Sequence, residues 1–417
     1  MFRAMPATPE NPAPQNLRPD DLTPDDLGLG SADRQTDWAS VTALITCISI
    51  FGLALGLTYP LLAIMMVDAG FSDFMIGVNG ATTCVGVVLS TFILPTLLRR
   101  FSAFIVVVLG LAGAAGSLVA MPFTDPHITW LFLRILLGIS LNVIFVVSEA
   151  WLNAVTAEHI RGRVIGIYAT VMAGGFALGP LLLVALGGAG LLPFLVCAGI
   201  TAAAIVMMLP LRKRSAAELA GMNFAGLRRF LTAGALLAAV VMVFAFFDAA
   251  VMTLIPVYLL RSGFTADFGS AALSAMLVGM VVAQFPVGWL LDRCARPTVI
   301  AGCALTAAAT SALLPWSLHT ALVFWPLLVL LGGASFALYT GALTVLGERF
   351  RGSLLMAGSA CFALAYGTGG TLGPLAGGTV LELFGPHAMP MLFAAVFFIL
   401  AVAVLRRPLT RPAAATA

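Results

Sequence analysis

An aspartate in the middle of an apolar stretch is the first feature of this sequence that could do chemistry. Asp248 stands within Phe246-Phe247-Asp248-Ala249-Ala250, with no charged neighbour beside it in the chain. Such a carboxylate either takes up and releases a proton or holds a fixed hydrogen bond or ion pair between two helices. Both readings stay open at the level of sequence. Arg134, in Arg134-Ile135-Leu136-Leu137-Gly138, is the matching cation. It anchors an anionic solute, regulates a nearby carboxylate, or forms one half of a helix-packing pair. Gly138 and Asn142 follow it at four-residue steps, so one stripe of that helix is small or polar and is expected to face a central cavity. Glu149, in Ser148-Glu149-Ala150-Trp151, lies toward one end of the same segment. Solvation or pairing with a loop arginine is the preferred reading for it, and a proton site is the other.

Uncharged polar residues extend the set. Thr42, Thr46 and Ser49 repeat at helical spacing, Tyr339 with Thr340 interrupts another apolar run, and Gln284 precedes Phe285-Pro286. Hydroxyls at such spacing also serve helix packing in lipid. Two runs read Gly-x-x-x-Gly-Pro, one ending in Gly179-Pro180 and the other in Gly373-Pro374. Glycine lets backbones approach and proline frees a carbonyl, so these runs are expected to make contacts and bends and not to bind solute.

The absences narrow the chemistry. Lys213 is the single lysine, so no phosphate-cradling G-x-x-x-x-G-K-[ST] segment exists. Neither H-E-x-x-H nor G-x-S-x-G occurs, and His127, His159, His319 and His387 lack metal-ligand spacing. The six cysteines lie in or beside apolar runs and read as small packing residues. No enzyme, cofactor or metal is expected.

The elements that must position these residues follow from composition. Of 417 residues 61% are hydrophobic and 9% charged, whereas a soluble domain carries about 25% charged residues. The excess of apolar side chains must face lipid or each other, so the chain is expected to cross the membrane many times. Its net charge of +3 and scattered basic pairs exclude a nucleic-acid face. Twelve spans are expected near 41–66, 74–98, 103–122, 128–152, 164–187, 191–211, 231–260, 269–291, 298–316, 321–346, 354–382 and 389–406. Residues 1–40, rich in proline and aspartate, are expected to form a disordered cytoplasmic tail. A first bundle of six spans then covers 41–211, a cytoplasmic loop 212–230, a second bundle 231–406, and a cytoplasmic tail 407–417. With the amino terminus inside, all but two of the 21 basic residues fall on the inner side. The exceptions are Arg261, in an outer loop, and Arg134, within a span. Both termini are therefore expected in the cytoplasm.

The two halves repeat one another. Glu158-His159-Ile160-Arg161-Gly162 follows the fourth span and Glu348-Arg349-Phe350-Arg351-Gly352 the tenth, while the two glycine-proline runs occupy the fifth and eleventh. After the eighth span comes Gly288-Trp289-Leu290-Leu291-Asp292-Arg293-Cys294-Ala295-Arg296. This six-plus-six pattern resembles the major facilitator superfamily of secondary transporters, and the last run is similar to its G-x-L-x-D-R-x-x-R loop signature. Arg134 to Gly138 is similar to the family's R-x-x-x-G element, and Gly369 to Gly378 to its G-x-x-x-G-P-x-x-G-G element. The loop after the second span departs from the signature, with Arg99 where the family usually has Asp.

The resemblance implies an all-α integral membrane protein with twelve transmembrane helices in two pseudo-symmetric six-helix bundles around a central cavity. It also implies that Gly288, Asp292, Arg293 and Arg296 form a gating loop, with Glu158, Arg161, Glu348 and Arg351 as its partners. The expected function is secondary transport of a small organic solute across the plasma membrane, the inner membrane of a bacterium, by a monomer. Export driven by proton entry is the leading form, with Asp248 carrying the proton and Arg134 tuning it. An uncoupled facilitator, an uptake symporter, and a non-transporting membrane receptor on the same scaffold are the alternatives.

Overall fold

A computed structural model describes residues 36–157, 160–188, 190–213, 226–407 and 409. Among these residues there is no strand. Six helices form the first half: α1 (Trp38–Asp68), α2 (Asp73–Arg100), α3 (Ala103–Ala120), α4 (Ile128–Val155), α5 (Arg161–Ala185) and α6 (Leu191–Met208). Seven form the second: α7 (Leu227–Arg261), α8 (Ala266–Val282), α9 (Gln284–Arg293), α10 (Arg296–Ser317), α11 (Ala321–Arg349), α12 (Gly352–Phe384) and α13 (Ala388–Arg406).

The helices start where side chains can satisfy their first free N–H groups. Ser72 accepts from the Met75 amide, Ser102 from that of Ile105, and Thr265 from that of Phe268. Eleven segments, α8 and α9 counted as one, are long and apolar enough to cross a membrane. The glycine- and threonine-rich α12, 33 residues long, makes the twelfth. Apolar side chains such as Leu322 and Phe285, 90% and 84% exposed, cover the outside, a surface stable only against lipid.

The eighth span is interrupted at Ala283, between α8 and α9, where Pro286 has no N–H to donate to the Val282 carbonyl. The helix runs on through both Pro180 and Pro374, and the dihedrals of Gly234, −132° and 26°, kink α7. The glycine-proline runs make close helix contacts. A Cβ on Gly179 would strike the backbone of Gly56 in α1, and one on Gly373 would strike the Phe246 carbonyl in α7. Each run thus sets a close helix pair, α1 with α5 and α7 with α12.

The halves meet along α2 with α12, α5 with α8, and α1 with α7. At the end where α2 begins, Arg261 of α7 reaches Asp73 of α2 at 3.0 Å, and Glu382 of α12 accepts from the Phe74 amide at 2.8 Å. Lower along the same seam, a Cβ on Gly77 would collide with the Pro374 carbonyl. These contacts close that end.

Candidate functional site

Asp248 sits near the middle of α7, half-buried, on the side of the helix that faces the opposite half. Its Oδ2 accepts a hydrogen bond from the Tyr366 hydroxyl of α12 at 2.8 Å. Phe244, one turn earlier on α7, stacks on Tyr339 of α11 at 5.3 Å and leans on Tyr366 at 6.2 Å. Phe336 closes the edge of this group, 5.4 Å from Phe244. Aromatic side chains from α7, α11 and α12 therefore form one cluster, and its Tyr366 holds the carboxylate.

The other half presents the same pairing. Phe145 and Glu149 lie one turn apart on α4, and Phe145 stacks on Phe51 of α1 at 5.4 Å. Phe176 of α5 meets Phe51 edge-on at 5.7 Å. Glu149 is exposed, and its carboxylate lies within electrostatic reach of the phenols of Tyr168 and Tyr339, the latter across the halves. That exposure is compatible with the solvated reading of Glu149 and with a place near the opposite half.

Arg134 is wholly buried. Its guanidinium lies over the Tyr59 ring of α1 at 4.3 Å, an arrangement worth about 0.5–2 kcal/mol. Nε donates to the Asn79 carbonyl at 3.4 Å, while Nη1 and Nη2 lack a hydrogen-bond partner. The stripe Arg134, Gly138, Asn142 does not face the cavity, contrary to expectation. Gly138 abuts the Thr83 carbonyl of α2, and Asn142 Nδ2 donates to Ser90 Oγ of α2 at 2.6 Å. The periodicity marked a true face, but a neighbouring helix covers it. Arg134 and Asp248 form no ion pair. Tyr59 and Cys84, 4.0 Å apart, stand between them.

Gln284 lies beside the α8–α9 break, donating to the Met280 carbonyl at 3.1 Å and accepting from Thr340 at 3.0 Å. It spans a helix joint and is not brought to the aromatic groups. Thr42 and Thr46 bond back to their own helix, each to the carbonyl four residues earlier.

At the end opposite the Asp73 pair, Arg296 holds Glu348 at 2.7 Å and also donates to the Leu291 carbonyl. Glu348 therefore pairs across α10 and α11 and not with Arg351, which is exposed. Arg293 lies over the Trp289 ring at 4.4 Å, Asp292 is exposed, and Gly288 has open space beside it. Glu158 lies outside the described residues, as does the side chain of Arg161.

Sequence reading missed Tyr366, Tyr59 and Cys84, which look like ordinary packing residues. It also missed the closure by Asp73, Arg261 and Glu382, whose charges sit at helix ends where solvation is the default expectation. Their one signal was Arg261 itself, a lone basic residue on the side that is otherwise free of them.

Comparison with known proteins adds an independent line. The family model described as Major Facilitator Superfamily matches residues 44–274 and 237–417. The uncharacterized MFS-type transporter YfkF of Bacillus subtilis is 26% identical over 353 residues, covering 82% of this chain and 88% of that protein. The uncharacterized MFS-type transporter YcaD of Salmonella paratyphi B is 24% identical over 379 residues, covering 88% and 95%. Among solved structures, the nucleoside transporter NupG aligns with a TM-score of 0.71 at 16% identity over 88% of this chain and 98% of that one. A bacterial homolog of the human lysosomal transporter Spinster, inward-facing and unoccupied, aligns with a TM-score of 0.68 at 14% identity over 90% and 98%. At these identities the structures speak to the fold.

Proposed function

The chain belongs to the major facilitator superfamily and is a transporter, and on that premise we propose that it is a proton-coupled secondary transporter exporting a small organic solute. The observation that carries the reading is the Asp248–Tyr366 hydrogen bond, half-buried between the halves. A carboxylate held by one phenol and no cation can accept a proton without breaking an ion pair. Tyr366 keeps it oriented, and α7 and α12 move together because Gly369 and Gly373 sit against the α7 backbone at Met242 and Phe246.

In this proposal the contacts of Asp73, Arg261 and Glu382 close the outer face, and Glu149 and Asp248 are reached from the cytoplasm. The halves then rock so that the site meets one side at a time. Arg134 works from behind Tyr59 as a fixed positive charge near the site, and the Arg296–Glu348 pair braces the gating loop on the inner side. Both termini lie in the cytoplasm, and the protein acts as a monomer in the plasma membrane.

The test uses purified protein in proteoliposomes. Solutes are first screened by thermal shift, with drugs, nucleosides, sugars, amino acids and organic acids in the panel. Each hit is then offered under an imposed pH gradient. Uphill movement that follows the gradient in the parent and disappears in Asp248→Asn is expected. Purely downhill movement indifferent to the gradient would identify an uncoupled facilitator.

A further inference from the structure

The transport reading leaves open what kind of solute the site accepts, and the side chains that face each other across the halves address this. Each half offers aromatic rings and one carboxylate a helical turn apart: Phe145 with Glu149 on α4, and Phe244 with Asp248 on α7. The rings are not isolated. Phe51 touches both Phe145 and Phe176 on one side, and Phe244 touches Phe336, Tyr339 and Tyr366 on the other. From Asp248 the series Tyr366, Phe244, Tyr339 runs in ring contact to the phenol that lies within reach of Glu149. Except for Phe244, these rings are only partly buried. They are therefore available to a guest.

The charges of the recess have one sign. Arg134, the single basic residue inside a span, is sealed behind Tyr59 and faces α2. The remaining described basic residues stand at or beyond helix ends, where Arg261 and Arg296 are already paired. Aromatic faces attract positive charge through their quadrupoles, and desolvation strengthens that attraction. Carboxylates without a cationic partner do the same by direct Coulomb attraction. An anion would meet two like charges and no accessible base.

We infer that this recess is an aromatic cage for a monovalent organic cation with an apolar or aromatic body, the substrate class of the transporter. The inference rests on the transport reading, and it sharpens the coupling step. Cation and proton compete for the Asp248 carboxylate, so one positive charge leaves as another enters. Glu149 and the rings contribute affinity and make the site selective for positive charge.

Binding of radiolabelled tetraphenylphosphonium to the purified full-length protein tests this, with tetraphenylborate as a competitor of matched size and opposite charge. Saturable binding of the cation is expected, displaced by protons and not by tetraphenylborate. Phe145→Ala and Glu149→Gln should each weaken it about three- to thirtyfold. Tyr339→Phe and Glu149→Asp, which keep the ring and the charge, should bind within about threefold of the parent and show that the fold survives. Absence of cation binding, equal binding of the borate, or indifference to both Phe145→Ala and Glu149→Gln overturns the assignment. Proton-coupled movement of another solute would then still stand as evidence for the transport reading. Conversely, charge-selective binding that protons do not displace would keep the cage and remove Asp248 from coupling.

Discussion

Arg261 and Asp73, 188 residues apart in the chain, are joined by two donors on one carboxylate oxygen: Nε at 3.1 Å and Nη2 at 3.0 Å. The Asp73 side chain is 11% exposed and that of Arg261 40%, so the pair is neither a screened surface contact nor a fully desolvated one. It joins the start of α2 to the end of α7. Glu382 adds a second tie by accepting an amide of the first turn of α2, where a negative charge also suits the helix dipole.

Removing this pair should loosen the closed end without unfolding the protein. In Asp73→Asn the loss is expected to be about 1 kcal/mol, roughly a fivefold change in the open population. Spin labels at Ser72 and Ser262 on a cysteine-free background would report it as a longer distance population. The charge exchange Asp73→Arg with Arg261→Asp should return most of the short one. An unchanged distribution in Asp73→Asn would mean that Gly77 and Pro374 hold the end alone.

Tyr366→Phe should weaken uphill transport without abolishing it. Hydrogen bonds to charged groups are worth about 1.5–3 kcal/mol, so a loss of one to two orders of magnitude in coupled flux is expected. Because Tyr366 acts through Asp248, adding Tyr366→Phe to Asp248→Asn should cost nothing further in the downhill movement that the single mutant retains. Additive losses in that double mutant would show that the phenol has a separate role.

Overpacking should separate the glycines at helix contacts from those in open space. Gly373→Val drives a side chain into the Phe246 carbonyl, whereas a Cβ at Gly166 meets nothing within 4 Å. A loss of about 1–3 kcal/mol is expected for the first substitution and a near-neutral result for Gly166→Ala. Thermal unfolding in detergent measures both.

Glu348→Gln should free the Arg296 end of the gating loop, raising protease or thiol-reagent access at exposed Cys294. Arg296→Glu with Glu348→Arg should restore the parent rate, whereas Arg351→Ala should have little effect. A large effect of Arg351→Ala would reassign the partner of Glu348.

Asp125, in the connection between α3 and α4, accepts from the His127 backbone N–H at 2.8 Å and contacts its ring nitrogen. These donors hold the carboxyl below the usual carboxylate range. Its contribution to stability is present above the unfolded value and lost as pH falls through the lower folded one. Carbon-13 carboxyl titration should place the Asp125 midpoint below that of free aspartate, with His127→Ala moving it only part of the way back, because the backbone N–H that contributes most is kept.

Much of the fold was legible because insertion into lipid leaves few choices. Apolar length fixes the spans, and Asp248 stands out because a charge inside a span is rare. What the sequence could not reveal is which neighbour covers a given face. Arg134, Gly138 and Asn142 share a stripe, yet α2 lies against it, and no spacing along α4 distinguishes a helix from a cavity. Tyr366 was invisible for a related reason: a tyrosine in an apolar helix acquires a role only from the carboxylate opposite, 118 residues away. The interruption at Ala283 had a signal that spacing alone does not rank: Pro286, three residues on, lacks the N–H that would meet the Val282 carbonyl.

The backbone contacts of Gly77 with Pro374 and of Gly378 with Asp73 involve no rotamers that could rearrange. A seam of this kind is a fit whose shape is set by the main chain alone. Phenylalanines and carboxylates deeper in the molecule can then be exchanged without changing how that end shuts, and a library that randomises the rings while leaving Gly77, Pro374 and Gly378 untouched is the engineering route this architecture invites.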